Sequence, residues 1–220
     1  MKNQADACIA VVDDHPLIRR GFSVAIGEAD GLNVCWTAAS IAEAIAGFQS
    51  VVPKLVVIDL RLPDGDGLEL IYRIRKIHAD TRVLVSSMQD EEVHAGRCLK
   101  AGASGFISKS ESVETLVKAI RMVLDDQVYL SEKMSSFMLR VIADPTQAAG
   151  LELLSDRELQ TLEMIGLGKD TKTIAKEMDV SPKTVDSFRE RIKGKLKIKN
   201  TTELIHYAVT HTLPTLRDKA

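Results

Sequence analysis

The spacing of apolar residues changes character along this chain, and the change divides it in two. Up to about residue 125, short apolar runs rich in β-branched residues alternate with longer stretches in which apolar side chains recur every three or four positions. That alternation predicts parallel strands joined by crossover helices. Strands are expected over 8–12, 32–37, 55–59, 82–86 and 105–108, and helices over 16–28, 40–49, 68–78, 91–101 and 113–125. Five such repeats make an α/β domain built on a five-stranded, doubly wound parallel sheet, whose ligands gather at the carboxyl edge of the strands.

Beyond residue 125 the strands stop. A helix is expected over 131–141, followed by Ala143-Asp-Pro-Thr-Gln-Ala-Ala-Gly150, a polar, breaker-rich stretch that reads as a linker. From Leu153 everything is helical, and the starts are marked: Ser155-Asp-Arg-Glu158 is a capping box, and Ser181-Pro182 pairs an N-cap with a proline at the first helical position. Helices over 155–166, 171–178, 182–196 and 202–210 predict an all-α, four-helix domain. The expected boundaries are therefore 1–126, a linker with a helix over 127–152, and 153–220.

Composition supports two modest domains with real cores: 220 residues, 45% apolar and 27% charged. Net charge is only −2, but residues 153–220 hold 13 Lys and Arg against 10 Asp and Glu, a net of +3, which leaves −5 in front. Cys8, Cys35 and Cys98 are odd in number and far apart, which argues against a disulfide framework or a zinc site and predicts buried thiols in a reducing compartment. The polar start and the lack of any long apolar run predict a cytoplasmic protein without a membrane partner.

The chemistry concentrates at strand ends. Asp13 and Asp14 follow the first strand and Asp59 ends the third, so a parallel sheet brings three acids to one crevice. Such a cluster repels itself unless a cation is present, and hard oxygen donors with few protein ligands describe a Mg²⁺ site. A carboxylate beside Mg²⁺ can attack a phosphoryl group. Asp59 is the expected nucleophile, with Asp13 and Asp14 as cation ligands. Lys109, after the fifth strand, would add positive charge, and Ser87, after the fourth, a hydroxyl for a phosphoryl oxygen.

Val11-Val-Asp-Asp-His-Pro16, Ile58-Asp-Leu-Arg-Leu-Pro-Asp-Gly-Asp-Gly67, Ser87-Met and Ala101-Gly-Ala-Ser-Gly-Phe-Ile-Ser-Lys109 resemble the receiver domain of bacterial response regulators, over residues 6 to 126. The resemblance implies a CheY-like fold and phosphorylation of Asp59 by a sensor histidine kinase. It also implies Mg²⁺ held by Asp13, Asp14, Asp59 and the backbone carbonyl of Arg61, and a switch pair of Ser87 and Phe106. Phe106 stands where tyrosine is commoner, so a ring hydroxyl contact made in many relatives is missing.

On a helix over 182–196, Val185, Ile192 and Leu196 form a buried stripe flanked by Phe188 and Arg189. The opposite side presents Lys183, Asp186, Ser187, Glu190, Gly194 and Lys197, with Arg191 and Lys195 on one flank and Lys193 on the other. A helix so arranged, preceded by 171–178 and a tight connection, suits a helix-turn-helix entering the major groove. Leu154-Ser-Asp-Arg-Glu-Leu159, Ile174-Ala-Lys-Glu-Met178, Val180-Ser-Pro-Lys-Thr-Val185, Ile192-Lys-Gly-Lys-Leu196 and Thr202-Glu-Leu-Ile205 resemble the LuxR-type DNA-binding domain. Together the two halves resemble the NarL/FixJ response regulators, which implies transcriptional control as a homodimer on double-stranded promoter DNA, with RNA polymerase as a further partner. Lys183, Arg189, Arg191, Lys193 and Lys195 are the expected phosphate contacts, and Thr184, Asp186, Ser187 and Glu190 the other expected DNA-facing residues. Asp186 and Phe188 depart from the lysine and histidine frequent in the family, and an acid in the groove trades general affinity for selectivity.

Other classes fit less well. An aspartyl-phosphate hydrolase would use the same acids but needs a cap or substrate pocket, and a quorum-type sensor needs an aromatic cavity that 4% aromatics do not supply. A helical dimerisation tail without nucleic acid, and a phosphorylation-independent transcription factor using the receiver to dimerise, remain the competitors; no enzymatic turnover is expected.

Overall fold

The computed structural model describes residues 6–89, 91–143 and 150–212. They form two compact units, Met1–Leu139 and Arg140–Ala220. Within the expected linker, residues 144–149 lie outside the described residues.

The first unit is built on a parallel sheet of β1 (Ala7–Val12), β2 (Leu32–Ala38), β3 (Leu55–Ile58), β6 (Arg82–Ser87) and β7 (Gly105–Ser108), in the order β2-β1-β3-β6-β7. Between them run α1 (Pro16–Gly27), α2 (Ile41–Ser50), α3 (Gly67–Ile77) and α4 (Glu91–Ala101), and α5 (Val113–Leu124) follows β7. Successive strand residues point to opposite faces. Ile9, Val11, Leu55, Val57, Leu84 and Ile107 pack with Ile26 of α1 and Leu116, Ile120 and Val123 of α5. The alternate residues Ala10, Val12, Val56, Ile58, Val83, Val85 and Phe106 are equally buried. A parallel sheet covered on both faces needs such near-continuous apolar strands.

Two features were not read from the pattern. A short antiparallel hairpin, β4 (Arg61–Leu62) and β5 (Gly65–Asp66), follows the third strand, and Asp59 lies one residue beyond β3. Two-residue strands carry no periodicity to detect. Further on, Tyr129 pairs in parallel with Gly105, adding a single rung beside β7 before α6 (Glu132–Ala143) begins.

The cysteine expectation is corrected for two of the three residues. Cys8 and Cys35 form a disulfide across β1 and β2, with Cα atoms 5.5 Å apart, whereas Cys98 is buried and not disulfide-bonded. The β1–β2 register slips between Ile9 and Ala10, pairing Val34 and then Trp36, so Cys35 is the extra bulged residue. Parallel pairing brings together cysteines separated by a whole strand-helix unit, and spacing along the chain conceals this.

The second unit holds a 3-10 turn (Gly150–Leu153), α7 (Asp156–Gly166), α8 (Thr171–Glu177), α9 (Pro182–Leu196) and α10 (Thr201–Thr212). Its core includes Leu159, Leu162, Ile174, Val185, Ile192, Leu204 and Ala208. Ser155 and Glu158 form the expected capping box, and Asp170 and Ser181 accept from the amides of Thr173 and Thr184 at the starts of α8 and α9.

Candidate phosphoacceptor site and nucleic-acid interface

At the carboxyl edge of the sheet, Asp13 and Asp14 leave β1, Asp59 leaves β3 and Lys109 leaves β7. Asp13, Asp59 and Lys109 are almost wholly buried, and the Lys109 ammonium stands 2.6 Å from Asp13 Oδ2 and 2.6 Å from Asp59 Oδ2. Ligand atoms of Asp13, Asp14, His15 and Asp59 all lie within 4.8 Å of one another. His15 was not foreseen: its Nδ1 is 2.6 Å from Asp14 Oδ1, and its amide donates to Asp13 Oδ1 at 2.9 Å. Arg19, also unforeseen, donates from its guanidinium to the Asp13 carbonyl at 2.5 Å, bracing the turn from one helical turn along α1. Nothing in its spacing marked either residue.

Burial is the largest influence on Asp59 and pushes its pKa up, and the neighbouring Asp13 charge adds to this; Lys109 and the Arg61 amide pull the other way without offsetting it. The Arg61 amide donates to Asp59 Oδ1 at 3.3 Å as the chain enters β4. The carboxylate set suits a hard divalent cation. Among the described residues, Asp13 Oδ2 and Asp14 Oδ1 are buried oxygens without a hydrogen-bond partner, lying 2.6 Å from Lys109 Nζ and 2.6 Å from His15 Nδ1 respectively. Ser87, the last residue of β6 and buried, accepts from the Gln89 amide at 3.2 Å, and its carbonyl accepts from the Lys109 amide at 2.9 Å. Phe106 lies fully buried within β7.

The loop carrying Asp59 is tied in place by Asp64 and Gly67, both within the receiver-like stretch 58–67. The Asp64 carboxylate accepts from the amides of Ile41 and Ala42 at 2.8 and 2.9 Å, pinning the loop to the start of α2. Gly67 passes so close that a Cβ there would stand 2.3 Å from the Asp59 carbonyl oxygen. Only glycine fits.

In the second unit, α8, a turn with Asp179 at φ 52° and α9 form a helix-turn-helix. Val185 and Ile192 face the core, and Lys183, Asp186, Glu190, Gly194 and Lys197 face solvent. The nine expected contact residues do not share one situation. Lys183 and Arg191 are exposed, Arg191 standing 5.5 Å from the Phe188 ring centre. Thr184 and Ser187 are half-buried and bonded within the helix start, to Ser181 and the Lys183 carbonyl. Arg189 donates to Thr171 of α8 at 3.0 Å, Lys193 lies 2.8 Å from Glu190, and Lys195 lies 2.6 Å from Glu158. Glu158 is buried, which alone would raise its pKa, but Lys195 and the Ser155 amide and hydroxyl outweigh burial and hold it below the usual range. Lys195 thus joins α9 to the capping box of α7, a contact that helical periodicity cannot show.

Among the described residues no helix is long and apolar enough to cross a membrane. Residues 9–121 match the response regulator receiver domain family, and residues 152–208 match the bacterial regulatory proteins of the luxR family. The chain is 32% identical over 203 residues to the response regulator GacA of Pseudomonas protegens, spanning 92% of this chain and 95% of that one. It is 34% identical over 212 residues to the oxygen regulatory protein NreC of Staphylococcus carnosus, spanning 93% and 98%. The solved structure of RcsB from Salmonella typhimurium shares the fold, with a TM-score of 0.74 over 94% of this chain and 99% of that one at 22% identity. Two family matches in tandem on this fold make the chain a two-component response regulator of the NarL/FixJ type, a receiver domain followed by a LuxR-type DNA-binding domain.

Proposed function

We propose that Asp59 accepts a phosphoryl group from a sensor histidine kinase and that the modified receiver controls promoter binding by the helical domain. The observation that carries this reading is the convergence of Asp13, Asp14 and Asp59 on one rim with Lys109 between two of them. Asp13, Asp14, Asp59 and the Arg61 carbonyl would hold Mg²⁺, which supplies charge neutralisation on the transferring phosphoryl oxygens. Asp59 Oδ would attack phosphorus as the phosphorus–nitrogen bond to the kinase's phosphohistidine breaks, leaving the kinase imidazole as the departing group; the Asp59 carboxylate is oriented by the Arg61 amide and Lys109. The Lys109 ammonium and the Ser87 hydroxyl then bind the new phosphoryl oxygens, and Phe106 completes the switch pair. Turnover of a diffusible substrate is no part of this reading.

In the second domain, Lys183 and Arg191 are the leading phosphate contacts, and Asp186, Ser187 and Glu190 face the groove beside Thr184. Arg189, Lys193 and Lys195 act first on the protein, through Thr171, Glu190 and Glu158. Solved relatives described as RcsB bound to promoters in the presence of a phosphomimetic support the DNA half of the reading. A homodimer on paired half-sites in the cytoplasm, with RNA polymerase as a later partner, completes the proposal, the receiver ending at residue 126 and the DNA-binding domain beginning at 153.

The test is a gel-shift titration of promoter fragments selected from the source genome, over a salt series, with and without beryllofluoride. Beryllofluoride should tighten binding by the natural chain and leave Asp59→Ala unchanged. Lys183→Ala should lower the salt slope by about one, whereas Lys195→Ala should leave the slope unchanged. Equal binding in all forms would reject phosphorylation control.

A further inference from the structure

The segment that leaves the receiver core towards α6 is attached at two points, and the two attachments differ in kind. At the first, Tyr129 is laid along the open edge of β7: the Phe106 amide donates to the Tyr129 carbonyl at 2.9 Å, and the Tyr129 amide donates to the Ser104 carbonyl at 3.1 Å. Gly105 permits this approach, since a Cβ there would stand 2.7 Å from the Tyr129 oxygen. At the second, Glu91, the first residue of α4, receives two bonds from Ser131, from the amide at 3.0 Å and from the hydroxyl at 2.5 Å. Ser131 in turn accepts from the Met134 amide at 3.0 Å, so the residue held by Glu91 also caps α6. Met134 is itself buried.

These attachments sit on elements with different freedom. Tyr129 is bonded to the sheet edge, whereas Glu91 follows Ser87 by four positions at the end of the β6–α4 connection. If Ser87 moves towards a phosphoryl group on Asp59, Glu91, four positions on, is drawn away from Ser131, which stands two residues beyond the sheet-bonded Tyr129. We propose that the Glu91–Ser131 pair is a latch, closed in the unmodified chain and opened by phosphorylation. It frees the start of α6, the helix that leads along the chain to the DNA-binding domain. This inference rests on the phosphoacceptor reading of Asp59. A carboxylate accepting both donors of one residue makes a charge-assisted, two-point contact, strong enough to hold a helix start and lost as a unit when one side shifts.

Amide hydrogen exchange read residue by residue by NMR, on the full chain with Mg²⁺ and with or without beryllofluoride, tests this. In the natural chain the analogue should slow exchange around Asp59 and accelerate the Ser131 amide about tenfold, with the Tyr129 amide unchanged. Glu91→Ala should show the fast Ser131 amide without the analogue and no further change with it, its unchanged Tyr129 and Phe106 amides showing that the sheet is intact. Slowing around Asp59 with a constant Ser131 amide would overturn the latch and leave the phosphoacceptor reading standing. A Ser131 amide at the natural rate in Glu91→Ala would overturn it as well. No change anywhere on adding the analogue would overturn both.

Discussion

The Lys109 ammonium lies 2.6 Å from the Asp59 carboxylate, and both side chains are nearly excluded from solvent, at 3% and 4% exposure. Removing one member of such a pair leaves the other charge buried, which costs about 3 kcal/mol. Lys109→Ala should therefore lose about that much stability in urea without divalent cation. Adding Mg²⁺ should restore part of it, because the cation replaces the missing positive charge beside Asp13 and Asp59. A variant as stable as the natural chain in both conditions would show that the ion pair does not hold the rim together.

Gly67 is confined by the Asp59 backbone rather than by its own conformation. Gly67→Ala would force its Cβ against the Asp59 carbonyl oxygen and Leu60 Cα, at 2.3 and 2.8 Å. Overpacking of this kind costs about 1–3 kcal/mol, and it would displace the loop that presents Asp59, the proposed phosphoacceptor. Chemical denaturation should show the loss, and phosphorylation by a small-molecule donor should slow even where the chain remains folded.

Glu158 gives the helical domain a defined acid sensitivity. Its folded pKa lies below the ordinary value of 4.5 because Lys195 and Ser155 outweigh its burial. The stabilisation is therefore complete above about pH 4.5 and is lost as pH falls through the depressed folded value. Unfolding of the helical domain, followed by circular dichroism from neutral pH to below 4.5, should show this loss in the natural chain. Glu158→Gln should be less stable at neutral pH, by about 1–2 kcal/mol, and flatter across that window.

The Cys8–Cys35 bond closes a loop over a sequence separation of 27 residues. A loop of that length contributes roughly 3 kcal/mol in the chain-entropy account. Denatured protein should yield one reactive thiol, from Cys98, when prepared without reductant and three after reduction. Cys8→Ser should unfold at lower urea than the oxidised natural chain and match the reduced one. Three thiols in the unreduced protein would contradict the bond.

What the sequence made legible follows from which interactions are local. The five strands, the crossover helices and the acids at 13, 14 and 59 could be read because each lies in a period or directly after one, and parallel pairing brings strand ends together. The capping box at Ser155 and the buried stripe of Val185 and Ile192 were visible for the same reason. Hidden were contacts between residues on different elements. Asp64 capping α2, Lys195 reaching Glu158, Ser131 bonding Glu91 and Cys35 bulging towards Cys8 all depend on register or packing. Sequence shows the Lys195 ammonium but not the buried Glu158 carboxylate beside it.

Under the proposed function, this rim makes Asp59, and no other residue, the phosphoacceptor. Intact-protein mass spectrometry after incubation with acetyl phosphate, with and without Mg²⁺, tests it most directly. The natural chain should gain a single phosphoryl group only when Mg²⁺ is present, and Asp59→Ala should gain none. A phosphorylated Asp59→Ala chain, or a natural chain that stays unmodified with Mg²⁺ present, would contradict the account.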